Sequence, residues 1–125
     1  MNYVINLPTQ NSLPVRGTEA RFPVRRVYCV GRNYEAHARE MGTDPTREPP
    51  FIFQKPTDAV ISGATSIPYP PQTRNLHYEI ELVVAIGRRG VNVPESEALS
   101  LVYGYGVCID LTRRDLQQAA KDSGK

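Results

Sequence analysis

Hydrophobic positions along this chain form short runs that are interrupted by Pro, Gly and charged residues, a pattern typical of a strand-rich protein. The strands predicted from these runs are 2–6, 26–30, 51–54, 59–61, 78–86 and 102–110. The most regular run is His77 to Gly87, in which two acids precede Leu82 to Ile86, a stretch without a polar residue. A continuous apolar stretch is typical of a strand covered on both faces, so we expect it to lie in a core.

Helix signals are fewer than strand signals. The helices predicted from capping and stop residues are 34–41, 94–100 and 113–121, with Asn33 capping the first and Thr112 the last. The segment 7–21 is predicted to be a loop, and the 11 prolines, many of them in 45–56 and 68–71, predict long extended connections. Because strands outnumber helices and do not alternate with them, we expect an α+β fold with a mixed, strand-rich core.

Composition narrows the class of protein without identifying it. A chain of 125 residues has room for one domain, and a net charge of +2 with scattered arginines does not predict nucleic-acid binding. The apolar runs are too short to span a membrane, and residues 1–8 lack the basic region of a signal peptide. Cys29 and Cys108 lie in apolar runs and are too far apart to suggest zinc, so we expect structural thiols and a cytoplasmic location.

Acidic side chains form the first candidate site. Side chains two apart on a strand point the same way, so Glu79 and Glu81 share a face, and burying them together is unfavourable without a cation. If the strand that ends at Asp110 lies in the same sheet, three carboxylates converge and suit a hard ion, Mg²⁺, Mn²⁺ or Ca²⁺. In the alternative interpretation the glutamates are solvated on an open face and Asp110 is a cap or turn residue.

A histidine and an acid form the second candidate. His37 and Glu40 are three apart on a predicted helix and share its face. A carboxylate beside an imidazole fixes its tautomer and raises its basicity, as a general base acting on water requires. The alternative is a charged surface helix on which such a pair occurs by chance.

The third candidate would bind a substrate. Arg114 and Gln117 share a face of the last predicted helix, where Arg can bind a carboxylate bidentately and Gln can donate to a carbonyl. In the alternative, Arg113 and Arg114 only pair with Asp115. Lys55 precedes a proline and could present a fixed cation near an active site, or it could be a solvated loop lysine.

Seven segments then combine into one pattern. In order they are Tyr28–Tyr34, His37–Gly42, Pro49–Phe51, Lys55–Pro56, Tyr69–Thr73, His77–Val84 and Gly104–Gln117. Together, over about residues 21–122, they resemble the fumarylacetoacetate hydrolase family. The opening of the chain, with Tyr3-Val-Ile, Val15-Arg-Gly-Thr and Phe22–Tyr28, is similar to the branch that hydrolyses fumarylpyruvate in gentisate breakdown.

The resemblance implies a fold, a reaction and residue roles. It implies a mixed, mostly β roll that assembles as a homodimer and hydrolyses a carbon–carbon bond of a 2,4-diketo acid, with fumarate and pyruvate as products. The implied roles are metal binding for Glu79, Glu81 and Asp110, water activation for His37 and Glu40, and substrate binding for Arg114 and Gln117. We also assign Lys55 to substrate binding, as the fixed cation described above. Mg²⁺ is the expected cofactor.

The family's catalytic domain is longer than this chain. We assign 1–21 to an N-terminal strand and loop, and 22–125 to the N-terminal portion of that domain. We therefore expect an incomplete pocket, exposed strand edges and apolar faces, and poor activity of the 125 residues alone. Two other hypotheses are an acylpyruvase or oxaloacetate decarboxylase of the same family, and an inactive fragment that only associates through its strand edges.

Overall fold

The computed structural model describes residues 2–31, 42, 51–63 and 66–124. The helix predicted at 34–41 and residues 43–50 lie outside the described residues. The described strands are β1 Ser12–Pro14, β2 Arg21–Pro23, β3 Val27–Gly31, β4 Phe51–Lys55, β5 Leu76–Ile86 and β6 Val102–Arg113. The described helices are α1 Glu95–Ala98 and α2 Arg114–Asp122, with 3-10 turns at Thr57–Ala59 and Leu99–Leu101.

The chain divides into two compact units, Met1–Ile67 and Pro68–Lys125. In the first unit β1 pairs with β2 and β3 pairs with β4, both antiparallel. The Asn11 side chain connects the residue before β1 to the turn after β4, because its Nδ2 donates to the carbonyl oxygens of Thr57 and Val60. The boundary predicted at residue 22 separates an N-terminal strand and loop from the family's catalytic domain, and it stays a prediction.

The second unit is built on one long antiparallel hairpin. β5 and β6 pair from Leu76↔Arg113 to Ile86↔Val102, with an irregularity between Ala85 and Ile86. Alternating β-branched and aromatic residues favour such extended strands. The connection between them contains α1 and ends where the Gly87 amide donates to the Leu101 carbonyl at 2.9 Å.

Helix α2 follows β6 directly and contacts both strands of the hairpin. The Arg114 amide donates to the Asn75 carbonyl at 2.9 Å, so the first residue of the helix is fixed beside the residue that precedes β5. No side-chain cap bond is formed at Arg113, the N-cap residue. The prediction that Thr112 caps this helix is therefore wrong, because β6 continues through Thr112.

Most predicted elements agree with the structure within a few residues. The predictions at 26–30, 51–54, 78–86, 94–100, 102–110 and 113–121 are confirmed. Three predictions are wrong: 2–6 and 59–61 are not strands, and β1 lies inside the predicted loop 7–21. Short apolar runs form strands only when a partner strand is available, which sequence alone does not reveal. Strands and helices occur together as expected, and the mixed sheet and closed roll stay predictions, since all described ladders are antiparallel.

Burial differs most from expectation. Among the described residues the buried ones are Val24 and Thr73, and Leu82, Val84 and Ile86 are exposed. The prediction that Leu82 to Ile86 is buried is therefore wrong for this chain, because the described hairpin has no second layer over that face. The expectation of exposed apolar faces is confirmed. No helix in the described ranges is long and apolar enough to cross a membrane.

Candidate metal and substrate site

The strand register brings acidic residues together. Glu79 lies directly opposite Asp110, and Glu81 lies opposite Cys108. Directly opposed residues of an antiparallel pair project to the same side, with Cβ atoms about 4.5–5.5 Å apart. Glu79, Glu81 and Asp110 therefore share one face of the hairpin, here called the carboxylate face. The condition set from the sequence, that the two strands lie in one sheet, is met.

The interpretation of Asp110 as a cap or turn residue is wrong, because β6 extends three residues beyond it to Arg113. An acid inside a strand, opposite another acid, is unfavourable without a compensating cation. All three acids are half-buried, so they are not simply solvated on an open face. The position of Asp110 therefore strengthens the case for a cation-binding function of this face.

The opposite side of the hairpin has a different character. It carries large apolar residues, and we call it the apolar face: Tyr78, Ile80, Leu82, Val84, Ile86, Tyr105, Val107, Ile109 and Leu111. Every one of these side chains is exposed. The acids therefore occupy the better covered side of the hairpin.

Arg114 supplies positive charge to the carboxylate face. Its Nη2 forms an ion pair with Oε1 of Glu79, and both side chains are largely covered, at 22% and 30% exposure. Its Nη1 donates to Oε1 of Gln117 at 2.9 Å. The Arg114 guanidinium thus links Glu79 on β5 to Gln117 on α2, which connects the predicted metal-binding residues with the predicted substrate-binding residues.

The acids share a face without forming a closed coordination cluster. In the described part of the chain, no group of three or more His, Cys, Asp or Glu side chains is close enough to hold a metal ion. Glu79 is instead engaged by Arg114. The donor set nevertheless fits a hard divalent ion, because it consists of carboxylate oxygens that already share a face. Metal binding by these residues stays a prediction.

A second polar cluster, which the sequence did not reveal, lies at the start of α2. The Asp115 carboxylate accepts hydrogen bonds from the Thr73 hydroxyl at 2.6 Å, the Arg74 amide at 2.8 Å and the Leu116 amide at 3.0 Å. The Thr73 hydroxyl also accepts from the Asn75 amide at 3.2 Å. These donors, first of all the Thr73 hydroxyl, lower the pKa of Asp115 below its usual range because they favour its charged form.

Three predicted site residues fall outside the segments described so far. His37 and Glu40 lie outside the described residues. Lys55 is the half-buried last residue of β4 in the first unit. It lines a cleft of about 550 Å³ together with Arg25, Arg26 and Asp58. The roles predicted for these residues stay predictions.

Comparison with known proteins identifies the family. The family model described as fumarylacetoacetate (FAA) hydrolase C-terminal matches residues 26–125. The crystal structure of fumarylpyruvate hydrolase from Pseudomonas aeruginosa, in complex with Mn²⁺ and pyruvate, is 52% identical with a TM-score of 0.94. The match covers 99% of this chain and 55% of that chain.

Curated relatives carry a different activity name. The mitochondrial oxaloacetate tautomerase of Arabidopsis thaliana is 44% identical over 99 residues, which are 79% of this chain and 44% of that protein. The Homo sapiens protein of the same name is 44% identical over 100 residues, or 80% of this chain and 45% of that protein. The chain thus spans about half the length of the relatives it matches. Because the family match includes most of the sequence, the chain belongs to the fumarylacetoacetate hydrolase family.

Proposed function

We propose that the protein containing this chain is a divalent-metal-dependent hydrolase of 2,4-diketo acids, with fumarylpyruvate as the preferred substrate. The observation that carries the proposal is the register that sets Glu79 opposite Asp110, with Glu81 on the same face. The similarity to a fumarylpyruvate hydrolase at 52% identity supports the choice of substrate. The Mn²⁺ and pyruvate bound to that protein support a divalent metal and a pyruvate-like group.

Glu79, Glu81 and Asp110 would hold the metal, Mg²⁺ or Mn²⁺, through carboxylate oxygens. A divalent ion in such a site supplies Lewis acidity toward keto oxygens and stabilises negative charge on the leaving enolate. The half-buried position of these acids limits competition by water, which strengthens their electrostatic interaction with a cation.

Arg114 and Gln117 would hold the organic substrate. The guanidinium matches a carboxylate bidentately, and its position between Glu79 and Gln117 places it at the edge of the carboxylate face. Because Oε1 of Gln117 accepts from Arg114, its Nε2 keeps donor capacity for a substrate carbonyl. Lys55 would add a further cation for the substrate.

His37, oriented by Glu40, would take a proton from water, and the hydroxide would attack the carbonyl on the fumaryl side. The bond between that carbonyl carbon and its neighbour on the pyruvyl side then breaks, and its electron pair leaves with the pyruvyl part as an enolate. The proton held by His37 is returned to that carbon and gives pyruvate. The new carboxylic acid loses its proton to solvent and gives fumarate, so one water is consumed and one proton is released.

A second candidate function is oxaloacetate tautomerisation or decarboxylation. The specific observation that favours it is the similarity to the oxaloacetate tautomerases at 44% identity. Oxaloacetate offers the same keto-acid group to Arg114 and the carboxylate face, and lacks the fumaryl group. The two functions therefore differ in contacts to the far end of the substrate.

The deciding experiment uses the protein encoded by the whole reading frame, treated with a chelator and then supplied with Mg²⁺ or Mn²⁺. Loss of the diketo-enolate absorbance of fumarylpyruvate, with fumarate and pyruvate formed in equal amounts, is the expected result. Parallel assays follow the keto–enol exchange and decarboxylation of oxaloacetate. Metal-independent turnover, or activity confined to oxaloacetate, would reject the primary proposal.

The oligomeric state is part of the same proposal. A homodimer is expected, and sedimentation of the whole protein measures it.

A matched pair of variants, Glu81→Gln on the carboxylate face and Gln118→Glu on the exposed side of α2, separates the effect of the metal site from general effects of charge. We expect the first to weaken Mn²⁺ binding and the second to leave it unchanged.

A further inference from the structure

We propose that Thr73 and Asp115 form a clamp that positions Arg114 toward the carboxylate face, and that they act on the substrate only through Arg114. The inference rests on the proposed substrate-binding role of Arg114. Neither residue received a functional role from the sequence: Asp115 was named only as an ion-pair partner of Arg113 and Arg114, and a threonine before β5 is unremarkable.

The first argument is connectivity. Three hydrogen bonds cross between the segment 73–75 and the first turn of α2: Thr73 Oγ1 to Asp115 Oδ1, Arg74 N to Asp115 Oδ2, and Arg114 N to Asn75 O. Both oxygens of the Asp115 carboxylate are used. The last of these bonds fixes the backbone of Arg114 itself, so the clamp acts on the residue directly before Asp115 in the chain.

The second argument is that the Thr73 side chain is buried and fully hydrogen-bonded, so its hydroxyl is required at this position. It is the one buried polar residue among those that the structure describes, at 9% exposure. Its hydroxyl donates to Asp115 and accepts from the Asn75 amide, so both functions of the group are engaged. Removing the hydroxyl would leave Asp115 Oδ1 with the Leu116 amide as its remaining donor and would take the Thr73 acceptor from the Asn75 amide, at a position that is itself buried.

The third argument concerns the turn before Thr73. Gln72 adopts φ +64°, a left-handed conformation that non-glycine residues rarely take. Such a residue persists where its surroundings determine the conformation strongly. The clamp supplies that determination on the C-terminal side of the turn. The segment is thus held in one shape, which in turn holds the start of α2.

The fourth argument links the clamp to chemistry. Arg114 extends from the clamped turn to Glu79 and Gln117. A long arginine side chain loses considerable rotamer freedom when it is held in one place, and a fixed backbone reduces the remaining freedom. The clamp therefore presents the guanidinium in a geometry suited to bidentate binding of a carboxylate, without touching the substrate.

The test compares Thr73→Val, which removes only the hydroxyl, with Thr73→Ser, which keeps it. We expect Thr73→Val to raise KM for fumarylpyruvate about tenfold with a smaller change in kcat, because hydrogen bonds to charged groups contribute this much. Thr73→Ser should stay close to wild type. Thr18→Val is the matched control, since it removes a hydroxyl that accepts a hydrogen bond from the Ala20 amide in an exposed turn of the first unit.

A double-mutant cycle separates positioning from a general structural role. In an Arg114→Ala background, Thr73→Val should change KM no further, since its effect passes through Arg114. Equal effects in both backgrounds, or an unchanged KM in Thr73→Val, would overturn the proposal. Circular dichroism of Thr73→Val and of Asp115→Asn, which keeps the shape of the side chain, shows whether a loss of activity arises from unfolding.

A readout without substrate keeps this inference distinct from the proposed function. Nitrogen NMR of the Arg114 guanidinium should show restricted rotation in the wild type and faster rotation in Thr73→Val. Equal rotation in the two proteins would overturn the clamp. If the wild type shows this restriction but does not hydrolyse diketo acids, the proposed function alone fails.

Discussion

The two faces of the β5–β6 hairpin reverse the usual distribution of polar and apolar side chains. On the carboxylate face Glu79, Glu81 and Asp110 are half-buried, whereas on the apolar face Leu82 is 59% exposed and Val107 76% exposed. A two-stranded ribbon has no intrinsic inside, so a face is covered only by what packs on it. The difference therefore shows where this unit has placed its helix.

Helix α2 provides cover on the carboxylate side. It contacts β5 and β6, and Arg114 at its first position reaches Glu79. Covering the large apolar side chains would contribute about 1.5–3 kcal/mol each, whereas a partly exposed ion pair contributes about 0–1 kcal/mol. Helix α2 therefore adds electrostatic contacts to the carboxylate face, and the apolar face stays exposed among the described residues.

The largest expected effect separates the two faces by neighbouring residues on one strand. Glu79→Gln should lower metal-dependent turnover by about 100-fold or more, because even groups behind metal ligands contribute 10–100-fold. Ile80→Val, one residue further along on the apolar face, should leave Mn²⁺ affinity unchanged. Isothermal titration with Mn²⁺ and a steady-state assay on the whole protein measure both quantities.

Equal losses in Mn²⁺ affinity for Glu79→Gln and Ile80→Val would remove the functional distinction between the faces. The Arg114–Glu79 ion pair also disappears in Glu79→Gln, so unfolding temperatures are compared first. A change in unfolding temperature without a change in Mn²⁺ affinity would assign Glu79 to stability and reject its role as a ligand.

A second prediction concerns the apolar face of the 125-residue chain itself. Leu82 and Val107 are Cα partners on this face, so replacing them by Lys and Glu together introduces a cross-strand charge pair. We expect self-association to weaken at least about tenfold and binding of a hydrophobic dye to fall, because an exposed apolar patch drives association. Sedimentation equilibrium measures the association.

The control for this pair is Leu99→Lys, which changes an apolar residue in the connection between the strands whose exposure, 76%, equals that of Val107. It should leave association as it is. If Leu99→Lys weakens association as much as the Leu82/Val107 pair does, loss of exposed apolar surface at any position, and not the apolar face in particular, is responsible. Little loss of folded stability is expected in either case, because the substituted side chains are exposed.

The sequence predicts the contents of each face better than their environment. The alternation in β5 places Glu79 and Glu81 on one side because strand periodicity is local. Asp110 opposite Glu79 depends on the register of a hairpin whose connection contains α1, which no local pattern fixes. Burial of Leu82 to Ile86 was predicted wrongly because it depends on a second layer of structure and not on the strand.

The same limit explains the missed clamp. Thr73 and Asp115 are 42 positions apart, and nothing in either neighbourhood points to the other. An acid in the first turn of a helix is favoured by the helix dipole, which accounts for Asp115 without Thr73. Only the antiparallel return of the chain, with β5 leaving the clamp and β6 returning to it, brings the two residues into contact.

The smallest expected effect is a pH dependence of how closely helix α2 covers the carboxylate face. Hydrogen bonds from Thr73 and then Arg74 lower the pKa of Asp115 in the folded state. A depressed pKa contributes stability that is present above the unfolded value, about 3.9, and is lost as pH falls through the folded value. On acidification the first turn of α2 should therefore loosen from 73–75, so that the carboxylate face becomes more accessible while the apolar face is unchanged. Carbon NMR titration of Asp115 and amide exchange of Arg74 measure the two events, and Thr73→Val should move the Asp115 pKa back up. An Asp115 pKa that is the same in wild type and Thr73→Val would mean that the hydroxyl does not sustain this cover.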